Sequence, residues 1–227
     1  MSGVVAVVAD SHLGGPGGEA QPLIEQLDRV VDQGCRHLVL LGDIFQVWVG
    51  RAQFVTPEIE ALVPVLRRLR AGGVRIDYVE GNRDFFLAGG PWADCFDSIE
   101  LETSFEVGGR RYLCVHGDGL NDRDRQYLFW RFLSKSLLSR FLITRLPGAL
   151  ARRAVGSTER QLSRTNFKHK SNLPEEAIVR YGRRRLAEGW DVLLLGHFHE
   201  PRTWRVEEGE IRLLDAWFND RTVVVFD

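Results

Sequence analysis

Apolar and polar positions alternate along this chain in two rhythms. Residues 4–9 form a continuous apolar, largely β-branched run, the pattern of a strand buried on both faces. Residues 14–18 are rich in glycine and read as a loop. Residues 22–33 place Leu23, Leu27, Val30 and Val31 on one helical face, with Pro22 in the first turn and Gly34 as the stop. A second apolar run, 37–41, leads into Gly42-Asp43. A helix is predicted over 57–71, kinked at Pro64 and closed by Gly72-Gly73. A third strand over 74–79 ends at Gly81-Asn82. Segments 105–107 and 110–115 flank Gly108-Gly109 as a hairpin whose second strand ends at His116.

The middle of the chain changes character. Within 126–146, Leu133, Leu137 and Phe141 stand at helical spacing, and Trp130, Phe132, Leu138 and Leu142 widen the apolar face. Pro147-Gly148 ends that helix, and a basic helical stretch continues to residue 170. A further helix, 175–188, starts after Pro174 and stops at Gly189. A strand over 191–195 runs into Gly196-His197, a hairpin turns around 207–210, and a last strand spans 222–226. There is no internal repeat and no low-complexity linker.

The 227 residues are 44% hydrophobic and 27% charged, ordinary for a globular domain carrying an insertion. Cys35, Cys95 and Cys114 are widely spaced and include no C-x-x-C pair. Neither a disulfide framework nor a structural zinc site is expected, and a reducing cytoplasm fits best. The run at 4–9 is too short for a signal peptide. No apolar stretch reaches 18 residues, so no membrane span is expected. Net charge is −1, but residues 121–185 hold 16 Lys/Arg against 5 Asp/Glu, and the remainder holds 14 against 26. Such a basic block either faces an anionic partner or is a set of solvated helical faces.

Five short stretches carry candidate chemistry: Asp10-Ser11-His12, Gly42-Asp43, Gly81-Asn82-Arg83-Asp84, His116-Gly117-Asp118 and Gly196-His197-Phe198-His199. Taken singly, each is more often structural; a lone Gly-Asp is usually a turn and Asp10-Ser11-His12 could be an Asx-turn. Together, each follows an apolar run, and loops beyond the carboxyl ends of strands build the site of an open α/β sheet. Asp10, His12, Asp43, Asn82, His116, His197 and His199 suffice for two divalent cations, and two cations favour phosphate-ester hydrolysis. With no Cys in the set, Mn, Fe, Zn or Mg fits better than a thiolate metal. Asp43 is the natural bridge, between an Asp-x-His pair for one ion and an Asn/His set for the other.

This ordered set resembles the calcineurin-like metallophosphoesterase superfamily. The resemblance implies a mixed α/β (α+β) fold, a β-sandwich flanked by helices, with a dinuclear centre. Residues 1–121 and 189–227 would form the core, and 122–188 a helical lid with a helix returning to the core. Most of that superfamily has His where this chain has Arg83. A histidine can protonate a departing alkoxide; an arginine binds and neutralises charge instead. The leaving group should therefore need no proton, as holds for a phosphate, whose second pKa is about 6.

Gly81-Asn82-Arg83-Asp84-Phe85 resembles the UDP-2,3-diacylglucosamine diphosphatase family of lipid A biosynthesis. Gly42-Asp43-Ile44-Phe45 with Trp48 and Gly50, His116-Gly117-Asp118, the insertion, and Asp215-Ala216-Trp217 match it too. In that family two metal ions, most often Mn²⁺, activate water for attack on the α-phosphorus, giving UMP and diacylglucosamine 1-phosphate. The lid takes the acyl chains, and the enzyme is cytoplasmic and peripheral to an anionic inner-membrane face. The implied metal ligands are Asp10, His12, Asp43, Asn82, His116, His197 and His199. The chemistry is expected to rest on Asp43, Asn82, Arg83 and His116, and substrate contacts on Asn82, Arg83, Asp124, Ser163, Lys170 and His197. The chain departs from the family pattern at Phe167, where Asn is usual, and at Arg51-Ala52, where an acidic pair is usual. Alternatives are a metallophosphoesterase acting on another nucleotide or a phosphodiester, a non-catalytic scaffold, and nucleic-acid binding. The retained ligand set argues against the scaffold, and the apolar share of the basic block against nucleic acid.

Overall fold

A computed structural model of the chain describes residues 3–120 and 173–227, with Phe129, Leu133, Lys135, Ser136, Ser139, Phe141 and Arg145. The first half runs β1 (Val4–Val8), α1 (Ala20–Asp32), β2 (Cys35–Leu40), β3 (Trp48–Val49), α2 (Pro57–Ala71), β4 (Arg75–Val79), β5 (Asp84–Phe85), β6 (Ser98–Glu100), β7 (Glu102–Val107) and β8 (Arg110–Val115). The C-terminal part runs α3 (Glu175–Leu186), β9 (Val192–Leu195), β10 (Arg202–Val206), β11 (Gly209–Leu213), α4 (Trp217–Asp220) and β12 (Val224–Phe226).

The parity of β1 sets the layers. Val5, Val7 and Ala9 face one core, and Ala6 and Val8 face another, because successive side chains of a strand point to opposite faces. The first sheet has the order β12-β1-β2-β4-β6, parallel except where β12 pairs antiparallel to β1. The second has the order β10-β11-β9-β8-β7, with a parallel centre and an antiparallel pair at each edge. Val39, Leu41 and Val79 of the first sheet meet Phe105, Tyr112, Cys114, Val192 and Leu194 of the second. Leu23 and Leu27 of α1 and Ile59, Leu62 and Leu66 of α2 cover the outer face of the first sheet. Ile178 and Leu186 of α3 cover the outer face of the second. The result is a β-sandwich flanked by helices, as expected.

Several bounds differ from those read in the pattern. α1 begins two residues earlier, at Ala20, and β2 reaches back to the fully buried Cys35. α2 continues through Pro64 as one helix. Thr56 Oγ1 caps it by accepting from Ile59 N at 3.4 Å, with Pro57 at the first position. Gly108 and Gly109 both take positive φ, which the tight β7–β8 turn requires. All three cysteines are buried and free. No described helix is long and apolar enough to cross a membrane. In the insertion, Leu133 is half-buried and Phe129 and Phe141 are exposed. Asp124, Trp130, Phe132, Leu137, Leu138, Leu142, Ser163, Phe167 and Lys170 lie outside the described residues.

Candidate metal centre

Five strands end at one place. β1 leads into Asp10 and His12, β2 into Asp43, β4 into Asn82 and Arg83, β8 into His116, and β9 into His197 and His199. β1, β2 and β4 are parallel, as are β8 and β9, so the carboxyl ends within each sheet point the same way. The exit loops are laced by Asp10 N–Gly42 O (3.1 Å), His12 N–Asp43 O (3.0 Å) and Leu13 N–Ile44 O (2.9 Å).

The side chains converge across the sandwich. His199 Nε2 lies 3.0 Å from Asp10 Oδ1 and 3.3 Å from His12 Nε2. Asp10 Oδ2 accepts from His197 N at 2.7 Å. His116 Nε2 stands 3.7 Å from Asp43 Oδ2 and 3.4 Å from Asn82 Oδ1. Two sets of three donor atoms, Asp10-His12-His199 and Asp10-Asp43-His116, each lie within 4.8 Å of one another. Asp10 belongs to both. The His197 ring faces the His116 ring at 5.4 Å between centroids.

The backbone is strained to achieve this. Asp10, His12, Asp43, His197 and His199 all adopt left-handed φ, between 45° and 68°. Among the described residues only Phe86 and Arg221 are the other non-glycines there. Such conformations persist when their surroundings over-determine them and cluster at functional sites. Glycines supply the clearance. A Cβ at Gly42 would stand 2.5 Å from His116 Nδ1, and one at Gly196 would stand 2.7 Å from Asp10 Oδ2.

The charges are mutually compensating. Burial alone would raise the Asp10 and Asp43 carboxyls. Histidine partners outweigh it and hold both well below the usual range: His116, His199 and His12 for Asp10, and His116, His12 and Arg83 for Asp43. Burial pushes His12 down to about 3 and His197 down to about 4. His116 is raised to about 10, because Asp43 and Asp10 outweigh its burial. His116 Nδ1 donates to Leu41 O at 2.9 Å, which turns Nε2 into the site. Among the described residues none hydrogen-bonds the buried His12 Nδ1. Carboxylate and imidazole donors packed this closely, with neutral imidazoles among them, form a donor set that fits divalent cations.

Arg83 is seated at the same place. Its backbone N donates to Asp43 Oδ1 at 2.8 Å, its Nε lies 3.6 Å from Asp43 Oδ2, and its Nη1 donates to Gln46 O at 3.1 Å. The guanidinium is therefore an almost buried fixed cation beside the cluster.

Four contributors were not singled out by the sequence. Asp84 accepts from Gly81 N (2.7 Å) and Asp43 N (3.1 Å), orienting both loops; burial and the neighbouring Asp43 charge raise its carboxyl. Its signal was its place inside the Gly81–Phe85 motif. Lys135 donates to Gly81 O at 2.8 Å. Phe218 and Asn219 touch the His12–His199 side.

A helix-flanked β-sandwich whose strand ends gather aspartates and histidines around a small space defines a metal-dependent phosphoesterase. The calcineurin-like phosphoesterase model matches residues 3–201, and the chain belongs to that family, whose members bind divalent metals and hydrolyse phosphoester or pyrophosphate bonds. Within it the chain groups with the UDP-2,3-diacylglucosamine hydrolases. It is 33% identical to one from Pseudomonas putida over 87% of this chain and 82% of that one. It is 29% identical to one from Ralstonia nicotianae over 96% of this chain and 85% of that one.

Proposed function

We propose that this hydrolase cleaves the pyrophosphate of UDP-2,3-diacylglucosamine in lipid A biosynthesis. Water oxygen bonds to the α-phosphorus, the bond to the bridging oxygen breaks, and UMP and 2,3-diacylglucosamine 1-phosphate leave. The observation that carries the reading is Arg83, a permanent cation 3.6 Å from Asp43 Oδ2. An arginine there neutralises phosphate charge and has no proton to give an alkoxide. A phosphate leaving group needs none. The names of the similar hydrolases support the same substrate.

The proposed ligands are Asp10, His12, Asp43, Asn82, His116, His197 and His199, for two ions, Mn²⁺ being the favoured metal. Asp43 would hold metal together with Asp10 and His116; Asp10, not Asp43, is common to both donor sets. Bound divalent cations supply Lewis-acid polarisation of phosphoryl oxygen and a lowered pKa for water. The chain's own groups do the rest. His116, fixed by Leu41 O, presents Nε2. Asp84 holds the Asp43 and Gly81 amides. Arg83 and Asn82 would orient the diphosphate, with His197 and, from the insertion, Asp124, Ser163 and Lys170.

We place the catalytic core at 1–121 and 189–227, and in 122–188 a helical lid carrying the acyl-chain site together with α3, the helix that returns to the core. The basic, apolar composition of that segment suits an amphipathic phosphorylated lipid at the anionic cytoplasmic face of the inner membrane, with the enzyme peripheral there. The test compares turnover of the diacylated UDP-sugar with UDP-glucose and a chromogenic phosphodiester. Strong preference for the acylated substrate is expected; equal or better turnover of either other compound overturns the assignment.

A further inference from the structure

We infer that the short helix α4 is a positioning element for the Asp10–His12–His199 half of the metal centre, acting through Phe218 and Asn219. The inference rests on the proposed two-ion reading and gives the Asp215-Ala216-Trp217 motif a role that reading leaves open.

The start of α4 is anchored on two sides. Trp217 is fully buried; its N donates to Ala9 O at 3.0 Å and its Nε1 donates to Gln26 Oε1 at 2.7 Å. The first bond ties α4 to the residue preceding Asp10, and the second ties it to α1. The end is anchored as well: Gln26 donates to Arg221 O, and the Arg221 guanidinium pairs with Glu19.

From that base the next two residues reach the metal half-site. The Phe218 ring stands 5.4 Å from the His12 ring and 5.1 Å from the His199 ring, nearly perpendicular to the latter at 83°. Asn219 Nδ2 donates to His199 O at 3.3 Å and to Asp215 Oδ1 at 2.8 Å. Both imidazoles therefore meet one apolar ring, and the peptide that follows His199 is held by an amide that is itself held.

His12 and His199 need such support. Their φ values of 45° and 56° are left-handed, a conformation that is strained for a non-glycine residue. Strain of this kind relaxes unless packing and hydrogen bonds over-determine it. Their Nε2 atoms lie 3.3 Å apart, so a rotation of either ring would remove a donor from the set. Phe218 limits that rotation, and Asn219 fixes the loop that carries His199. Partners of this outer kind typically alter metal affinity 10–100-fold when removed.

The test uses the full chain, stripped of metal and loaded with MnCl2. Binding isotherms and the Mn²⁺ electron paramagnetic resonance spectrum are recorded for wild type, Phe218→Ala, Phe218→Leu and Asn219→Ala. In Phe218→Ala and Asn219→Ala one binding step should weaken about 10–100-fold while the other moves less than about twofold. Phe218→Leu should fall between them and wild type. The melting midpoint of the metal-free Asn219→Ala protein should stay within a few degrees of wild type, since Asn219 is exposed. Unchanged isotherms, or equal weakening of both steps, overturn the role of α4. A wild type that takes up a single ion overturns the two-ion reading instead, and α4 is then judged on that one step, where an unchanged affinity in Asn219→Ala and Phe218→Ala counts against it.

Discussion

Gly81 sits between two demands: the chain must turn sharply after β4, and Asp43 must stand against the turn. A Cβ there would collide with Asp43 Oδ1 and lie 2.9 Å from Asp43 N. Gly81→Ala should therefore push the carboxylate off its position and lower kcat/KM on the order of 100-fold, the usual scale for an ångström of misplacement. Gly73→Ala makes the comparison. Gly73 has φ +87° but nothing within 4 Å of its added Cβ, so that change should lower stability by about 1 kcal/mol and leave kcat/KM intact. A Gly81→Ala enzyme as active as Gly73→Ala would show that the Asp43 position matters less than the packing indicates. Arg83 poses a different question, because its side chain lies beside the cluster and its backbone N holds Asp43. Arg83→Ala keeps that N–H. It should lower kcat/KM for the diphosphate substrate on the order of 100-fold, the scale of a lost charge-stabilising donor, while manganese content by elemental analysis stays at the wild-type value. Loss of metal would assign Arg83 to holding the centre together rather than to binding phosphate.

β4 carries a buried charge that joins the two sheets. Asp77 is fully buried and accepts from His37 Nε2 (2.7 Å), Ser98 Oγ (2.8 Å), Arg75 Nε (3.0 Å) and Thr103 Oγ1 (3.2 Å). Thr103 belongs to β7 of the second sheet. Burial would raise this carboxyl, but the bonds from His37, Ser98 and Arg75 outweigh it and hold it well below the usual range. The folded state therefore releases the proton more readily than the unfolded chain. That stabilisation is complete above the unfolded value of about 4 and is lost as pH falls below it. Asp77→Asn should destabilise the metal-free protein by about 2–4 kcal/mol at pH 7, and urea denaturation should show the gap to wild type narrowing below pH of about 4. A gap that is constant with pH would mean that the charge is not what is used. The insertion has one described tether to the same sheet, Lys135 Nζ to Gly81 O, with Glu80 3.7 Å away. A hydrogen bond from a charged donor contributes about 1.5–3 kcal/mol. Lys135→Ala should therefore speed limited proteolysis on the order of tenfold or more, and an unchanged cleavage rate would show that Lys135 does not secure the insertion. What was legible in the sequence follows the same division. The apolar runs before Asp10, Asp43, Asn82, His116 and His197 marked strand ends, and strand ends are where this fold gathers its site. β3, β5 and β6 were missed because two or three residues carry no periodicity. Asp77 was missed because a single carboxylate in a strand looks solvent-facing until its partners from other strands are known. Lys135 and Asn219 were missed because they bind backbone carbonyls, which every residue offers.

At the scale of the molecule, the centre lies where the two sheets meet at their strand ends. Asp10, Asp43 and Asn82 follow strands of the first sheet, and His116, His197 and His199 follow strands of the second. Bound cations would therefore cross-link the sandwich at the end where five non-glycine residues hold left-handed backbones. The unfolded chain scatters these ligands along its length, so the metal binds the folded state alone. A ligand at 100 times its dissociation constant then adds about 2.7 kcal/mol of stability per site. For a domain of this size each kcal/mol moves the melting midpoint by about 2–4 °C. Removing both metal ions with a chelator should lower the midpoint by about 10–20 °C, and adding back Mn²⁺ in excess should restore it. Differential scanning calorimetry of the stripped and reloaded protein measures this directly. A stripped protein that melts where the loaded one does would mean that the ions bind too weakly, or too far from the junction of the sheets, to act as the staple that the convergence of Asp10, Asp43, His116 and His199 implies.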